Sequence, residues 1–406
     1  MTVRPGVVVV GASAAGLSVA DTLRRDGFDG QIVLVGDEAE PPYDRPPLSK
    51  EFLSGAWPQE KLALKSDIAL SDLRLDLRLG VRAESVDVGA RYVQLSDGSL
   101  LDYADLVIAT GVRPRTLPGA VGVAGVHSLR TLADARRLKD ALTPGSRLVI
   151  VGAGFLGAEI ASVACAAGVH VTLLSDTDSP LSEVLGPELG ELLIGVHRAN
   201  GVEVRTGVTA RSVLTADGRV SAVELADGST VVADSVLMSI GSIPNTDWLA
   251  GSGVPVGNGV LCDEYCRAAP HVWAAGDVAS WQHAGLGERL RIEHRTNAAE
   301  QGMAVARNIL AGDRPTPFMP VPYIWSDQYD LKIQIYGLPR GSESFTITDG
   351  RLEDHKLVGI YGKSGRVRAA VGINMIRPLR AARALVAANA ELATVTSPAD
   401  EQKVVL

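Results

Sequence analysis

The chain has 406 residues, enough at typical domain sizes for roughly two to four domains with buried cores, which excludes a small disulfide-stapled or metal-stapled scaffold. Hydrophobic residues make up 46% and charged residues 21%, a globular balance that excludes disorder as the main state. The net charge of -8 provides no global basic field, so neither nucleic acid nor an anionic membrane is an expected partner.

Arg4 followed by the apolar run 7–10 has the outline of a short export signal. The run leads instead into Gly11-Ala-Ser-Ala-Ala-Gly16 and then Asp21, Arg24 and Arg25, which reads as a buried strand turning into an amphipathic helix. A strand at 6–10, a turn at 11–16, a helix at 17–25 closed by Gly27 and a strand at 31–35 form a βαβ unit. Residues 147–151, 152–157, 158–167 and 170–174 repeat that order about 140 residues later, an internal duplication. Residues 148–174 are long enough to span a bilayer, but Gly152, Gly154, Gly157, Glu159 and His170 fit a strand, turn, helix and strand better. Between the units, a strand at 105–109 ends in Thr110-Gly111 and meets the breaker-rich Arg113-Pro114-Arg115 and Pro118, where a domain boundary belongs. A strand at 235–240 ends in Gly241-Ser-Ile-Pro244, a matching connection that returns the chain. Beyond Pro315, Pro317, Pro320 and Pro322, strands of alternating polarity at 332–336 and 367–373 and a last helix at 379–392 read as a separate α+β domain.

A dinucleotide turn needs a glycine for the bend, a small residue where backbone meets pyrophosphate, and a glycine where helix packs on strand. Gly11, Ser13 and Gly16 meet this with serine in the second place, and Asp37 follows Gly16 by 21 residues, where a carboxylate accepts from ribose hydroxyls. Gly152, Gly154 and Gly157 match in full, with Ser175 and Asp176 standing 18 and 19 residues after Gly157, so the usual acid is displaced or missing. Two such turns argue for two dinucleotides, a flavin and a nicotinamide. No arginine stands in 175–179 to receive a 2'-phosphate.

Glu159 lies in a helix otherwise uncharged from 158 to 168; it is either solvent-facing or buried with a partner. Pro41-Pro-Tyr-Asp-Arg-Pro-Pro-Leu-Ser-Lys50 is either a surface linker or a rigid approach that delivers Lys50. It stands where a flavin disulfide reductase would carry its redox cysteines and has none, so electrons must leave for an external acceptor. Trp273-Ala-Ala-Gly276-Asp277 is a strand turning at Gly276 with an acid at its exit, either a turn residue or an acceptor for a ribityl hydroxyl. Glu293-His-Arg295-Thr296-Asn297 precedes a helix at 298–310 whose N-terminal amides suit a flavin carbonyl. Cys165, Cys262 and Cys266 are too few and too oddly spaced for a disulfide framework, and neither they nor the seven histidines show metal-ligand spacing; no metal and a reducing cytoplasm are expected.

Taken in order, Gly-x-Ser-x-x-Gly16, Gly36-Asp37-Glu38, Pro-Tyr-Asp-Arg-Pro-Pro-Leu-Ser-Lys50, Ala109-Thr-Gly-x-Arg-Pro114, Gly-Ala-Gly-Phe-Leu-Gly-Ala-Glu159, Gly241-Ser-Ile-Pro-Asn245, Ala275-Gly-Asp277 and Trp325-Ser-Asp-Gln328 resemble one family. It is that of the FAD-dependent NAD(P)H ferredoxin reductases serving cytochrome P450s and aromatic-ring dioxygenases. The resemblance implies an α/β, glutathione-reductase-like fold with two Rossmann-type dinucleotide-binding domains and a C-terminal α+β domain. It divides the chain into an FAD-binding domain at 1–112 and 242–315, an NAD-binding domain at 113–241 and a C-terminal domain at 316–406. It also implies that Asp37, Lys50, Arg130 and Asp277 contact FAD, that backbone around Ala83 and the Arg295 to Asn297 turn approaches it, and that Lys50 and Glu159 meet beside its ring. With Ala15, Thr110, Gly111, Gly241, Gly276, Thr296 and Trp325 these complete the expected cofactor-binding set. Two positions depart from the family: Arg295 stands where many relatives carry a tryptophan, and Ser175 where they carry the acidic ribose ligand.

The expected function is a cytoplasmic flavoenzyme that carries electrons from NADH through FAD to a small, acidic iron-sulfur ferredoxin, and so indirectly to a cytochrome P450 or dioxygenase. Rubredoxin reduction or NADH oxidation on the same fold, and a flavin-bearing, NADH-switched interaction protein, are the alternatives.

Overall fold

A computed structural model describes residues 6–395 and the backbone of 404–405, and its chain divides into two compact units. The first comprises 6–45, 58–113 and 242–320, and the second 46–57, 114–241 and the described residues from 321 onward.

In the first unit the valine run becomes the fully buried strand Gly6–Val10. It lies between Ile32–Gly36 and Leu100–Ile108, parallel to both, with Val8 opposite Val33 and Leu106. The order Arg267–Ala269, Val272–Ala274, Leu100–Ile108, Gly6–Val10, Ile32–Gly36, Asp76–Leu79 places the duplicated unit's first strand inside the sheet. Strands buried on both faces read as continuous apolar runs, which is why 6–10 and 32–36 lack alternation. Helices Ala14–Arg25 and Arg295–Ala311 pack together, and Gly302 makes that possible: a Cβ there would lie 2.5 Å from the carbonyl oxygen of Ala15.

In the second unit Arg147–Val151 lies between His170–Leu174 and Ser235–Met238 in a five-stranded parallel sheet. Tyr323–Gln328, Leu331–Gly337, Arg366–Ile373, Lys356–Lys363 and Ser344–Arg351 form an antiparallel sheet. Burial alternates in the first two, as expected at 332–336, but not at 367–373. There Arg366–Ile373 and its neighbour Lys356–Lys363 are buried nearly throughout, because Leu379 and Ala382 of the last helix pack on Val358, Ile360, Val367 and Ala370. The sheet's inner face shares a core with the helix Pro187–Ala199, through Leu189, Leu193, Ile333, Ile335 and Val371.

Four helices differ in their bounds from those expected. Helices begin at Ala14, Phe155 and Arg295, within the turns, because the turn residues already supply the first helical amides. The last helix is Ile376–Ala387, and the chain leaves it where Asn389 adopts φ +45°. Leu392 then folds back, its amide donating to Gly365 O at 2.8 Å. Among the described residues no helix is long and apolar enough to cross a membrane.

Candidate functional site

The first glycine turn follows directly from the strand Gly6–Val10. Gly11 has φ +124°, and a Cβ there would sit 2.0 Å from Ala109 O. A Cβ on Gly16 would meet Gly11 O at 2.0 Å, so this second glycine lets the helix Ala14–Arg25 close onto its strand. Ala15 is buried, and Gly276, at φ +79°, turns against it with a Cβ position 3.0 Å from the Ala15 methyl. Ser13 holds the N-cap position but makes no capping bond; its Oγ accepts from Arg45 Nε at 3.3 Å. The helix's first amides therefore remain available to an anion, as pyrophosphate binding needs.

Of the two acids after the strand Ile32–Gly36, Glu38 is bound by Arg45 at 2.6 Å and by Tyr43 OH, while Asp37 is exposed. Ala83 is buried at the head of the strand Ala83–Asp87. Thr110 Oγ1 donates to Asn245 O at 2.8 Å and Thr110 O accepts from Asn245 Nδ2 at 2.9 Å, next to Gly111 at φ +65°. Asp277 is half-buried, its carbonyl accepting from Arg291 at 3.0 Å. Arg295 forms an ion pair with Asp44 at 2.9 Å, so the residue that departs from the family pattern is engaged with the proline-rich segment. Thr296 is half-buried in the first turn of Arg295–Ala311. Beside it, Asn297 Oδ1 is buried with no hydrogen-bond partner, an acceptor that a polar ligand would satisfy. An open helix N-terminus, a free carboxylate one strand away and an orphaned buried amide oxygen fit a dinucleotide such as FAD.

The second unit repeats the turn. Gly152 has φ +105° with a Cβ position 2.2 Å from Ser239 O, and that of Gly157 is 2.1 Å from Gly152 O. A Cβ on Gly154 would meet nothing within 4 Å: the protein leaves this space open, as a site for pyrophosphate requires. Ser175 is buried and its hydroxyl is committed to Thr177, at 3.0 Å from Oγ1 and 3.2 Å from the amide. Asp176 is exposed beside it. Gly241, at φ +89°, accepts from the Arg115 amide at 2.9 Å. Arg130 is half-buried ahead of the helix Leu132–Ala141, where Thr131 and Asp134 form a capping box. Trp325 is half-buried and stacks on Tyr323 at 5.9 Å.

Glu159 is 5% exposed, so of the two environments open to it from sequence it occupies the buried one. Its Oε2 accepts from Lys50 Nζ at 2.6 Å and Ser49 Oγ at 2.7 Å, and its Oε1 from Ser326 Oγ at 2.7 Å. The segment 46–57 belongs to this unit, held by Lys139 over the Phe52 ring at 5.0 Å, so its prolines deliver Ser49 and Lys50 to the helix Phe155–Ala166. The sequence reading did not single out Ser49 or Ser326. The signal for Ser326 was present: in the strand Tyr323–Gln328 the buried positions are Ile324, Ser326 and Gln328, two polar residues on an inward face.

Residues 5–302 match the pyridine nucleotide-disulphide oxidoreductase family and residues 323–403 the reductase C-terminal family. Putidaredoxin reductase of Pseudomonas putida is 37% identical over 382 residues, spanning 92% of this chain and 90% of that protein. The ferredoxin–NAD(+) reductase component of the anthranilate 1,2-dioxygenase system of Burkholderia cepacia is 35% identical, spanning 94% of each. The reductase in the crystal structure of the covalent putidaredoxin reductase–putidaredoxin complex superposes with a TM-score of 0.92 at 34% identity, covering 98% of this chain and 97% of that one. With both parts of its length matched, two glycine turns on two parallel sheets and a C-terminal antiparallel sheet, this chain belongs to the pyridine nucleotide-disulphide oxidoreductases, among their ferredoxin reductases.

Proposed function

We propose that this chain takes two electrons from NADH and passes them singly to two molecules of a small iron-sulfur ferredoxin serving a cytochrome P450 or a ring dioxygenase. The observation that carries the reading is the pair of glycine turns, each at the end of its own buried parallel strand. FAD, when bound, supplies the exchange between a two-electron donor and one-electron acceptors.

Gly11, Ser13, Ala15 and Gly16 provide a backbone cradle for its pyrophosphate, and Asp37 accepts from its ribose. Ala83, Thr110, Gly111, Gly276, Asp277, Arg295 and Thr296 are assigned to the same cofactor, as are Lys50, Arg130 and Trp325. Gly152, Gly154, Gly157, Ser175, Asp176, Gly241 and Glu159 are assigned to the nicotinamide nucleotide. Residues 1–112 and 242–315 are accordingly the FAD domain, 113–241 the NAD domain and 316–406 the C-terminal domain. Lys50 contributes a cation that stabilises negative charge arriving on the flavin ring, with Glu159 fixing its position. The cytoplasm is the assigned compartment, in keeping with three unpaired thiols, of which Cys266 is pushed up to about 12 by burial and is unreactive. Purified protein should be yellow, be bleached by NADH without oxygen, and turn over with a ferredoxin; colourless protein that cannot be reconstituted with FAD would sink the reading.

NADH should be preferred over NADPH. Asp176 and Asp178 are exposed at the end of the strand His170–Leu174, and Arg205 is paired with Glu203 at 2.7 Å, so a 2'-phosphate meets like charge. One such contact is worth about 1 kcal/mol in water, so kcat/KM should favour NADH by about fivefold or more. Equal values would show that Arg198 or Arg205 reads the phosphate.

The acceptor side should depend on salt. Residues 316–406 carry 11 Lys and Arg against 9 Asp and Glu in a chain of net charge -8, which makes the tail the less acidic part. Arg377, Arg380 and Arg383 are exposed on the helix Ile376–Ala387. Ferredoxin turnover should fall as salt rises, and Arg380→Glu with Arg383→Glu should raise the KM for ferredoxin severalfold while leaving flavin reduction by NADH unchanged. A salt-independent rate would move docking to another surface.

A further inference from the structure

One of the three donors to Glu159 is itself held from behind. Ser326 Oγ donates to Glu159 Oε1 at 2.7 Å and accepts from Gln328 Nε2 at 3.2 Å. Gln328 Oε1 lies 3.1 Å from His197 Nε2, and His197 Nδ1 lies 3.0 Å from Tyr329 OH. The donor roles in this chain are determined by valence. Gln328 Nε2 has only protons to give, so Ser326 must aim its single proton at Glu159. The oxygen of Gln328 then requires the N–H of His197 Nε2, which leaves Nδ1 to accept from Tyr329. All the bonds from Tyr329 to Glu159 therefore point one way, ending on the carboxylate. Burial pushes the His197 imidazole below its usual range, in agreement with a neutral ring that donates on one side and accepts on the other. Tyr329 is anchored in turn, at φ +53° with its amide donating to Ser162 Oγ at 2.7 Å.

The chain runs beside an apolar core. Leu189, Leu193, Ile324 and Leu331 belong to that core, and His197, Ser326 and Gln328 are each at most 3% exposed. Apolar residues of similar volume would pack such a place at least as stably, so stability alone does not explain the polar series.

We propose that Gln328 and His197 are positioning residues for the Lys50–Glu159 pair, holding the Ser326 hydroxyl on the carboxylate so that Lys50 keeps its place. The proposal rests on the reading that Lys50 serves the flavin. Donation from Ser326 draws off part of the carboxylate's negative charge; without it Glu159 cancels more of the Lys50 cation, and the flavin becomes harder to reduce.

The test uses flavin-loaded full-length protein, with NADH reduction followed anaerobically by stopped flow and the flavin potential measured separately. Gln328→Leu and His197→Phe should slow reduction on the order of tenfold and move the potential in the same direction as Lys50→Met, by a smaller amount. His197→Gln, which keeps an N–H for Gln328, should recover most of the rate. Adding Gln328→Leu to Lys50→Met should slow reduction no further, since the chain then has nothing to position. If Gln328→Leu does not fold, His197→Phe against His197→Gln carries the same comparison. Normal rates and potentials in the chain variants, with Lys50→Met impaired, overturn the proposal and leave the Lys50 reading standing. An unimpaired Lys50→Met overturns that reading and the proposal with it.

Discussion

Gly11→Ala is expected to yield protein that lacks flavin, whereas Gly152→Ala should retain its colour and lose reduction by NADH. Both positions hold positive φ, and both would drive a methyl group to within 2.0 and 2.2 Å of a backbone carbonyl oxygen that no rotamer change relieves. The left-handed conformation alone costs an alanine about 1–2 kcal/mol, and the overlap displaces the strand end or the turn as well. Each turn sits in a different unit, so the two losses should separate. Visible absorbance reports the flavin, and anaerobic stopped-flow reduction reports NADH. Gly154→Val sharpens the comparison: a Cβ there meets no protein atom within 4 Å, and φ there is -74°, which any residue tolerates. Stability should fall by no more than about 1 kcal/mol, the cost of valine in place of glycine at the N-cap of the helix Phe155–Ala166. The KM for NADH should nevertheless rise by about tenfold or more, since a side chain now stands where the backbone must approach pyrophosphate. An unchanged KM in Gly154→Val, or simultaneous loss of both functions in Gly152→Ala, would count against two separate nucleotide sites.

Lys50→Met should produce the second large effect, in two parts that can be measured apart. Removing the cation leaves Glu159 buried with only the Ser49 and Ser326 hydroxyls as donors. Breaking a buried ion pair from one side costs about 3–5 kcal/mol, visible as a lower Tm. Reduction by NADH should slow by about 10- to 100-fold, because a preorganised charge no longer meets the charge developing on the flavin. Lys50→Met combined with Glu159→Leu removes the stranded carboxylate and should recover most of the stability while reduction stays slow. Recovery of both together would make the pair purely structural; normal reduction in the single variant would leave Lys50 only its structural role as the partner of Glu159.

Much of the architecture was legible because its causes are local. The valine run at 7–10 and the apolar residues at 148–151, each leading straight into a glycine turn, read as strands buried on both faces. Glycines spaced as in 11–16 and 152–157 follow such strands because the backbone itself turns there, at φ +124° and +105°. Unlike 367–373, which is buried nearly throughout because the last helix covers it, 332–336 likewise announced by its alternation a strand with one inward face. These features depend on neighbours a few residues away, and a sequence displays neighbours directly.

The surroundings of Glu159 belong to the other class. Its burial could not be decided from a helix whose apolar residues surround it on all sides, since no polar stripe marks a solvent face. Tertiary structure decided it, by bringing Ser49 from 110 residues away and Ser326 from 167 residues away to the two oxygens of one carboxylate. The same holds for Gly302, which reads as an unexceptional helix glycine until the Ala15 carbonyl is found against it, and for His197, whose partners Gln328 and Tyr329 are 131 and 132 residues distant. A buried polar group is stable only with matched donors and acceptors, and those are chosen by contact in three dimensions. The sequence by itself therefore determined the two nucleotide folds and their turns, while only the packing of helix Phe155–Ala166 against strand Tyr323–Gln328 and the segment 46–57 decided which side chains act on Glu159.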